Sequence, residues 1–127
     1  SIFRAARVGA GDTVAIIGIG FLGAVLTRLA TRAGARVIAI SRRQESLALA
    51  GRMGARDLVP LDDHQAVLNR LDDLTGGAGC DIAIECTGHQ WPLDLAAECL
   101  RESGRLVIAG YHQDGPRQVN MQLWNWK

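Results

Sequence analysis

Gly18-Ile19-Gly20-Phe21-Leu22-Gly23 sets three glycines at GxGxxG spacing. The chemistry this spacing serves is capture of a dinucleotide's pyrophosphate by backbone. Gly18 lets the chain turn tightly, Gly20 lets the backbone approach the phosphates without a Cβ, and Gly23 lets a helix pack close to a sheet. The phosphates then rest on the free N–H groups and positive dipole end of that helix. The pattern alone is weak. Here it directly follows the β-branched run Thr13–Ile17 and opens a helical stretch, the context that gives it meaning. A bare strand–helix turn has no need of three glycines so spaced.

The end of the second apolar run selects the nucleotide. NAD sites place Asp or Glu there to accept from the ribose hydroxyls. This chain has Ser41, followed by Arg42 and Arg43. A small hydroxyl leaves room for a 2′-phosphate, and a guanidinium binds one with charge assistance. NADP is therefore expected over NAD, with Arg42, nearer the strand end, ahead of Arg43. The alternative is that both arginines are solvated charges at the start of a helix. Two further strand ends, Cys86-Thr87-Gly88-His89 and Ala109-Gly110-Tyr111-His112, should line the same cleft. Their glycines permit backbone approach to a nicotinamide ring, or serve only as turn residues. Cys86 reads as a small buried hydrophobe rather than a nucleophile, and His89 as a surface-loop residue.

Positioning these residues requires alternating strands and helices. Thr13–Ile17, Arg36–Ile40, Asp57–Val59, Asp81–Cys86 and Arg105–Ala109 are short apolar runs expected as strands. Between them, Leu22, Val25, Leu26, Leu29, Ala30 and Ala33 recur at helical spacing, with Gly34 as a stop. Glu45–Met53 forms a second helix, Val67, Leu68, Leu71 and Leu74 mark a third, and a fourth begins at Pro92. The tail from Gln118 is expected as a short strand with a helical turn at Gln122–Trp126. The fold class is α/β, a doubly wound parallel sheet of the Rossmann type, with five strands. Ligands of such sheets bind at the strands' carboxyl ends, where strand order reverses.

The 127 residues amount to one domain. Folding such a chain buries about two-thirds of its unfolded surface, enough for a core without staples. No apolar run approaches the roughly 20 residues of a membrane span, and a net charge of +1 favours neither nucleic acid nor an anionic membrane. Residues 1–60 carry nine Arg against three acids, a net of +6, whereas residues 61–127 carry five basic residues against ten acids, a net of −5. The basic half contains the glycine turn and Arg42. Cys80, Cys86 and Cys99 form no CxxC pair, so a reducing, cytoplasmic setting is expected. His64, His89 and His112 lack metal-ligand spacing, so no metal site is expected in this chain. Trp91, Trp124 and Trp126 form no stacking stripe for nucleic acid. Trp124 and Trp126 are expected to pack on a part of the protein outside this chain.

The segments VGAGDTVAIIGIGFLG, GCDIAIECTG and SGRLVIAGYHQ resemble the first, fourth and fifth strand regions of the coenzyme domain of medium-chain, zinc-type alcohol dehydrogenases and quinone reductases. The resemblance covers essentially the whole chain. It implies an oxidoreductase that moves a hydride between NAD(P)H and an alcohol, aldehyde or ketone. Gly18, Gly20 and Gly23 match that family's pyrophosphate turn, and Ser41 and Arg42 its coenzyme-selecting positions in the NADP-using branch. In that family a GroES-like domain precedes the coenzyme domain and supplies most catalytic groups, including zinc ligands where zinc is used. Nothing here matches that domain or the four-cysteine structural zinc loop. The resemblance therefore implies an excised dinucleotide-binding domain over residues 1–127. It should bind coenzyme but not catalyse alone, and it should lack the family's sixth strand. Zinc would belong to the parent protein, which is expected to be a homo-oligomer with its small-molecule substrate held by the catalytic domain.

Three rival readings lack their residues. A short-chain dehydrogenase needs Tyr-x-x-x-Lys, but Tyr111 and Lys127 are the only Tyr and Lys. A P-loop needs Gly-Lys-Ser/Thr after its glycines. A methyltransferase of this topology usually wants an acid where Ser41 stands. The remaining alternative is a nucleotide-sensing regulatory module, with the same glycine turn and no hydride acceptor.

Overall fold

The computed structural model describes residues 7–112 and 115–125. Strands and helices alternate: β1 (Thr13–Ile17), α1 (Phe21–Arg32), β2 (Arg36–Ser41), α2 (Gln44–Arg52), β3 (Asp57–Pro60), α3 (His64–Thr75), β4 (Cys80–Glu85), α4 (Gln90–Glu98), β5 (Leu100–His112) and β6 (Gly115–Asn125). They form one six-stranded sheet in the order β3-β2-β1-β4-β5-β6. The first five strands run parallel, as expected, and β6 pairs antiparallel with β5.

Period-two alternation along the buried strands divides the core in two. Val14, Ile16, Val37, Ile82 and Ile84 face Ala24, Leu26 and Ala30 of α1 and Ala50 of α2. Ala15, Ile17, Ile38, Ile40 and Ala83 face Val67 and Leu71 of α3 and Leu95 and Ala96 of α4. Helices thus cover both faces, and the strands between them read as continuous apolar runs. Strand order reverses at β1, which has β2 on one side and β4 on the other. The register aligns Ile17 with Ile40 and with Glu85, so three strand tips end at one level. Gly18 N–H still donates to the Ile40 carbonyl (2.8 Å) and Cys86 N–H to that of Ile17 (2.8 Å). Beyond these bonds the chains separate and the cleft begins.

Local differences from the expected pattern have simple causes. α4 begins at Gln90, not at Pro92, because a third-position N–H lacks an intrahelical partner anyway and proline forfeits nothing there. α3 begins earlier than its apolar face, at an Asp63 cap whose side chain accepts from Ala66 N–H (2.9 Å). The expected helical turn at Gln122–Trp126 is a correction: Gln122–Asn125 lie in β6, pairing with Arg105–Ile108 of β5. Trp126 lies outside the described residues. Among the described residues, no helix is long and apolar enough to cross a membrane.

Candidate functional site

A cleft of about 400 Å³ opens at the carboxyl ends of β1, β2 and β4, lined by Gly18, Ile19, Gly20, Ser41, Arg42, Arg43, Cys86 and Thr87. The switch point of the sheet thus gathers eight of the residues singled out by sequence. The three glycines differ in what surrounds them. Gly18 has φ +88°, and a Cβ there would fall 2.4 Å from the Thr87 methyl. A Cβ on Gly23 would fall 2.5 Å from the Gly18 carbonyl oxygen, so this glycine sets how closely α1 packs on its own turn. Gly20 differs: a Cβ there meets no protein atom within 4 Å. Packing within the chain therefore does not require a glycine there.

The electrostatics favour an anion. The N-cap residues of α1, α2 and α4 are Gly20, Arg43 and His89, all three lining the cleft, and none has a side-chain cap bond. α3, whose cap Asp63 is outside the lining, is capped. No acid sits in the first turn of α1. Unpaired N–H groups and positive dipole ends therefore converge on one cavity.

The two arginines part company. Arg43 pairs with Glu45 (2.7 Å), an exposed contact that holds the Glu45 carboxyl below the usual carboxylate range. Arg42 lies with its guanidinium carbon 5.6 Å from the centroid of the Trp91 ring. Among the described residues no carboxylate pairs with Arg42. Ser41 is 5% exposed, and its hydroxyl accepts from Arg43 N–H (3.4 Å).

At the tip of β4, Glu85 is 1% exposed and folds the next turn around its carboxylate. It accepts from Thr87 N–H (2.7 Å), from Gly88 N–H (3.1 Å) and from the Thr87 hydroxyl. The hydroxyl in turn accepts from His89 N–H (3.1 Å). Gly88, at φ +77°, completes this turn without lining the cleft. Desolvation pushes the Cys86 thiol up to about 12, with the Glu85 charge adding to it. Only about one thiol in ten thousand would then be ionised at pH 8. Iodoacetamide at pH 8 should leave Cys86 unmodified in the native protein, as mass spectrometry would report; rapid alkylation would show an accessible thiolate instead. The sign of the linkage is also fixed. The native state keeps this proton above the unfolded thiol's range, so stability should fall as pH rises from about 9 towards 12.

Other expected site residues lie elsewhere. Phe21 is 86% exposed and forms, with Val25 and Leu29 of α1, an apolar patch outside the cleft. Leu22 packs against the core. Ala109 is fully buried, and β5 continues through Gly110, Tyr111 and His112 rather than turning there. Five further residues complete the lining: Ser46, Leu61, His89, Trp91 and Pro92, of which only His89, in the β4 strand end, was placed near the cleft by sequence. His89 sits in the cleft wall, not merely on a loop. Ser46 is signalled by its place in the first turn of α2, whereas Trp91 offered no periodic signal. Among the described residues, no three His, Cys, Asp or Glu side chains are grouped as metal ligands would be.

Comparison with known proteins agrees with this geometry. Residues 22–125 match the family model described as zinc-binding dehydrogenase. L-threonine 3-dehydrogenase of Bacillus velezensis is 36% identical over 117 residues, which is 91% of this chain and 33% of that protein. An alcohol dehydrogenase from Thermus sp. ATN1 superposes with a TM-score of 0.78 at 31% identity, over 88% of this chain and 33% of that one. A mycobacterial protein solved in complex with NADPH superposes with a TM-score of 0.76 at 29% identity, over 91% of this chain and 38% of that one. The chain spans about a third of the length of the curated relatives it matches. A family match across most of the chain, on a sheet whose cleft is built around GxGxxG, is decisive: the chain belongs to the zinc-binding dehydrogenase family.

Proposed function

We propose that this chain is the coenzyme-binding part of an oxidoreductase and that its coenzyme is NADP(H). The observation that carries the coenzyme choice is Arg42, which faces the cleft beside Ser41 with no acid among the described residues paired to it. An acid at the Ser41 position would repel a 2′-phosphate; a hydroxyl and an unpaired guanidinium attract one. The open space above Gly20 fits a pyrophosphate, which the first-turn N–H groups of α1 would hold. A structural relative solved with NADPH lends support. The bound coenzyme would supply the hydride. This chain's residues would bind and orient it: the Gly18–Gly23 turn at the pyrophosphate, Ser41 and Arg42 at the ribose phosphate, and the Cys86–Gly88 turn along the wall. Arg43, already paired with Glu45, plays a lesser part.

The substrate would be an alcohol, aldehyde or ketone held partly by protein outside these residues, in a cytoplasmic homo-oligomer. This chain alone would not turn it over.

Two measurements test the coenzyme choice. NADPH should raise Tm more than NADH at equal concentration, because stabilisation follows affinity for the native state. Arg42→Ala should weaken NADPH by about 1–3 kcal/mol, or roughly fivefold to 150-fold, and leave NADH within twofold. A larger NADH shift, or equal weakening of both, would remove the 2′-phosphate from the argument.

A further inference from the structure

Trp91 is tied into a line of contacts that crosses the face of the sheet covered by α3 and α4. Its indole N–H donates to His64 Nδ1 (2.5 Å), and His64 Nε2 lies 2.7 Å from a Glu98 carboxylate oxygen. An indole nitrogen donates and cannot accept, so Nδ1 must present its lone pair and the neutral ring's proton sits on Nε2, donated to Glu98. Each member therefore has a fixed role: Glu98 orients His64, His64 orients the Trp91 ring, and Arg42 lies over that ring.

The charges explain why such a brace is useful. Arg42 is exposed, has no acid partner among the described residues and sits on a long, flexible stem. Left alone it would sample many rotamers, and ordering it on binding would cost affinity. An aromatic face attracts a guanidinium by its quadrupole without neutralising it or occupying its N–H donors in the ring plane. A carboxylate would do the opposite, since it would compete with an incoming phosphate. Trp91 also lines the cleft itself, beside His89 and Pro92.

We propose that Trp91 is a positioning residue for coenzyme selectivity: it holds the Arg42 guanidinium, still charged and still able to donate, at the mouth of the cleft, and His64 with Glu98 holds Trp91. The proposal rests on the reading of Arg42 as the 2′-phosphate residue. A part that only filled space would affect both coenzymes alike. A brace for Arg42 acts on the phosphorylated one.

The test is the ratio of NADPH to NADH affinity in the intact protein, measured by calorimetry for the wild type, Arg42→Ala, Trp91→Leu, Trp91→Phe and the double variant Arg42→Ala/Trp91→Leu. Trp91→Leu should lower NADPH affinity by about fivefold to tenfold and leave NADH within twofold. Trp91→Phe, which keeps an aromatic face but loses the bond to His64, should recover only part of the ratio, because its ring is no longer held. In the double variant the ratio should be no lower than in Arg42→Ala alone, because the tryptophan acts through the arginine. If Arg42→Ala lowers the ratio and Trp91→Leu does not, Trp91 is no brace, although the coenzyme reading stands. Equal loss of both coenzymes in Trp91→Leu, without rescue by Phe, makes it a structural residue and also overturns the proposal. If Arg42→Ala leaves the ratio unchanged, the coenzyme reading fails and the brace fails with it.

Discussion

Gly20→Val should abolish measurable binding of both NADPH and NADH while leaving the fold intact. The two halves of this result come from one observation: a Cβ at Gly20 meets no protein atom within 4 Å. The backbone there has φ −96°, which any L-residue adopts, so valine brings no strain. Its branched side chain instead stands in the cleft, over the first-turn N–H groups of α1. Phosphates could then no longer reach those donors, and affinity should fall more than a hundredfold, about 3 kcal/mol. Tm without coenzyme should stay within a degree or two of wild type. The neighbouring glycines give the contrast. Gly23→Ala drives a Cβ to 2.5 Å from a backbone oxygen, and Gly18→Ala drives one to 2.4 Å from the Thr87 methyl at φ +88°. Both should lose stability before binding is even considered. Full coenzyme affinity in Gly20→Val would mean that the pyrophosphate does not lie on this turn.

The glycine turn was legible because its chemistry is local. Six consecutive residues, a strand before and a helix after carry the whole signal. The strand pattern was legible for a similar reason: a strand buried on both faces must be apolar throughout, and Thr13–Ile17 and Arg36–Ile40 can be little else. The tail was not, because Val119, Met121 and Leu123 alternate as a strand should, but Trp124 follows Leu123 directly and breaks the period. Pairing with β5 overrides that break. The site's wall was also hidden. Trp91 and His64 are 27 residues apart and meet only because α3 and α4 pack side by side on one face. The differing fates of Arg42 and Arg43 have a partial sequence signal, since Glu45 is near Arg43. Nothing local indicates that Arg42 will lie over an indole.

Glu85 is the residue whose role sequence reading missed most completely, and its loss should be the most damaging to the fold. Within DIAIEC it looks like one polar interruption of a buried strand. In the structure its carboxylate, almost wholly out of solvent, gathers two backbone N–H groups and a hydroxyl from the two residues that follow Cys86. Thr87 is half-buried and Gly88 exposed, so the carboxylate, not the donors, is the deeply buried partner. Glu85→Ala would remove the shared acceptor of three hydrogen bonds to a charged group, each worth about 1.5–3 kcal/mol when made, so a total loss of about 3 kcal/mol is expected after water reaches the exposed donors. Urea unfolding would measure it. Glu85→Gln should lose less, because its carbonyl oxygen can still accept while its amide must turn away from the N–H groups. The same change removes the negative charge that helps raise the Cys86 thiol, so iodoacetamide should react somewhat faster at Cys86 in the Gln variant. Coenzyme affinity should fall in the Ala variant as well, since Thr87 touches the turn at Gly18 and would lose its anchor. A stability loss below about 1 kcal/mol in Glu85→Ala would show that water replaces the carboxylate and that the turn holds itself. The expected outcome is the reverse: the acid at the tip of β4 builds the wall against which the glycine turn is set.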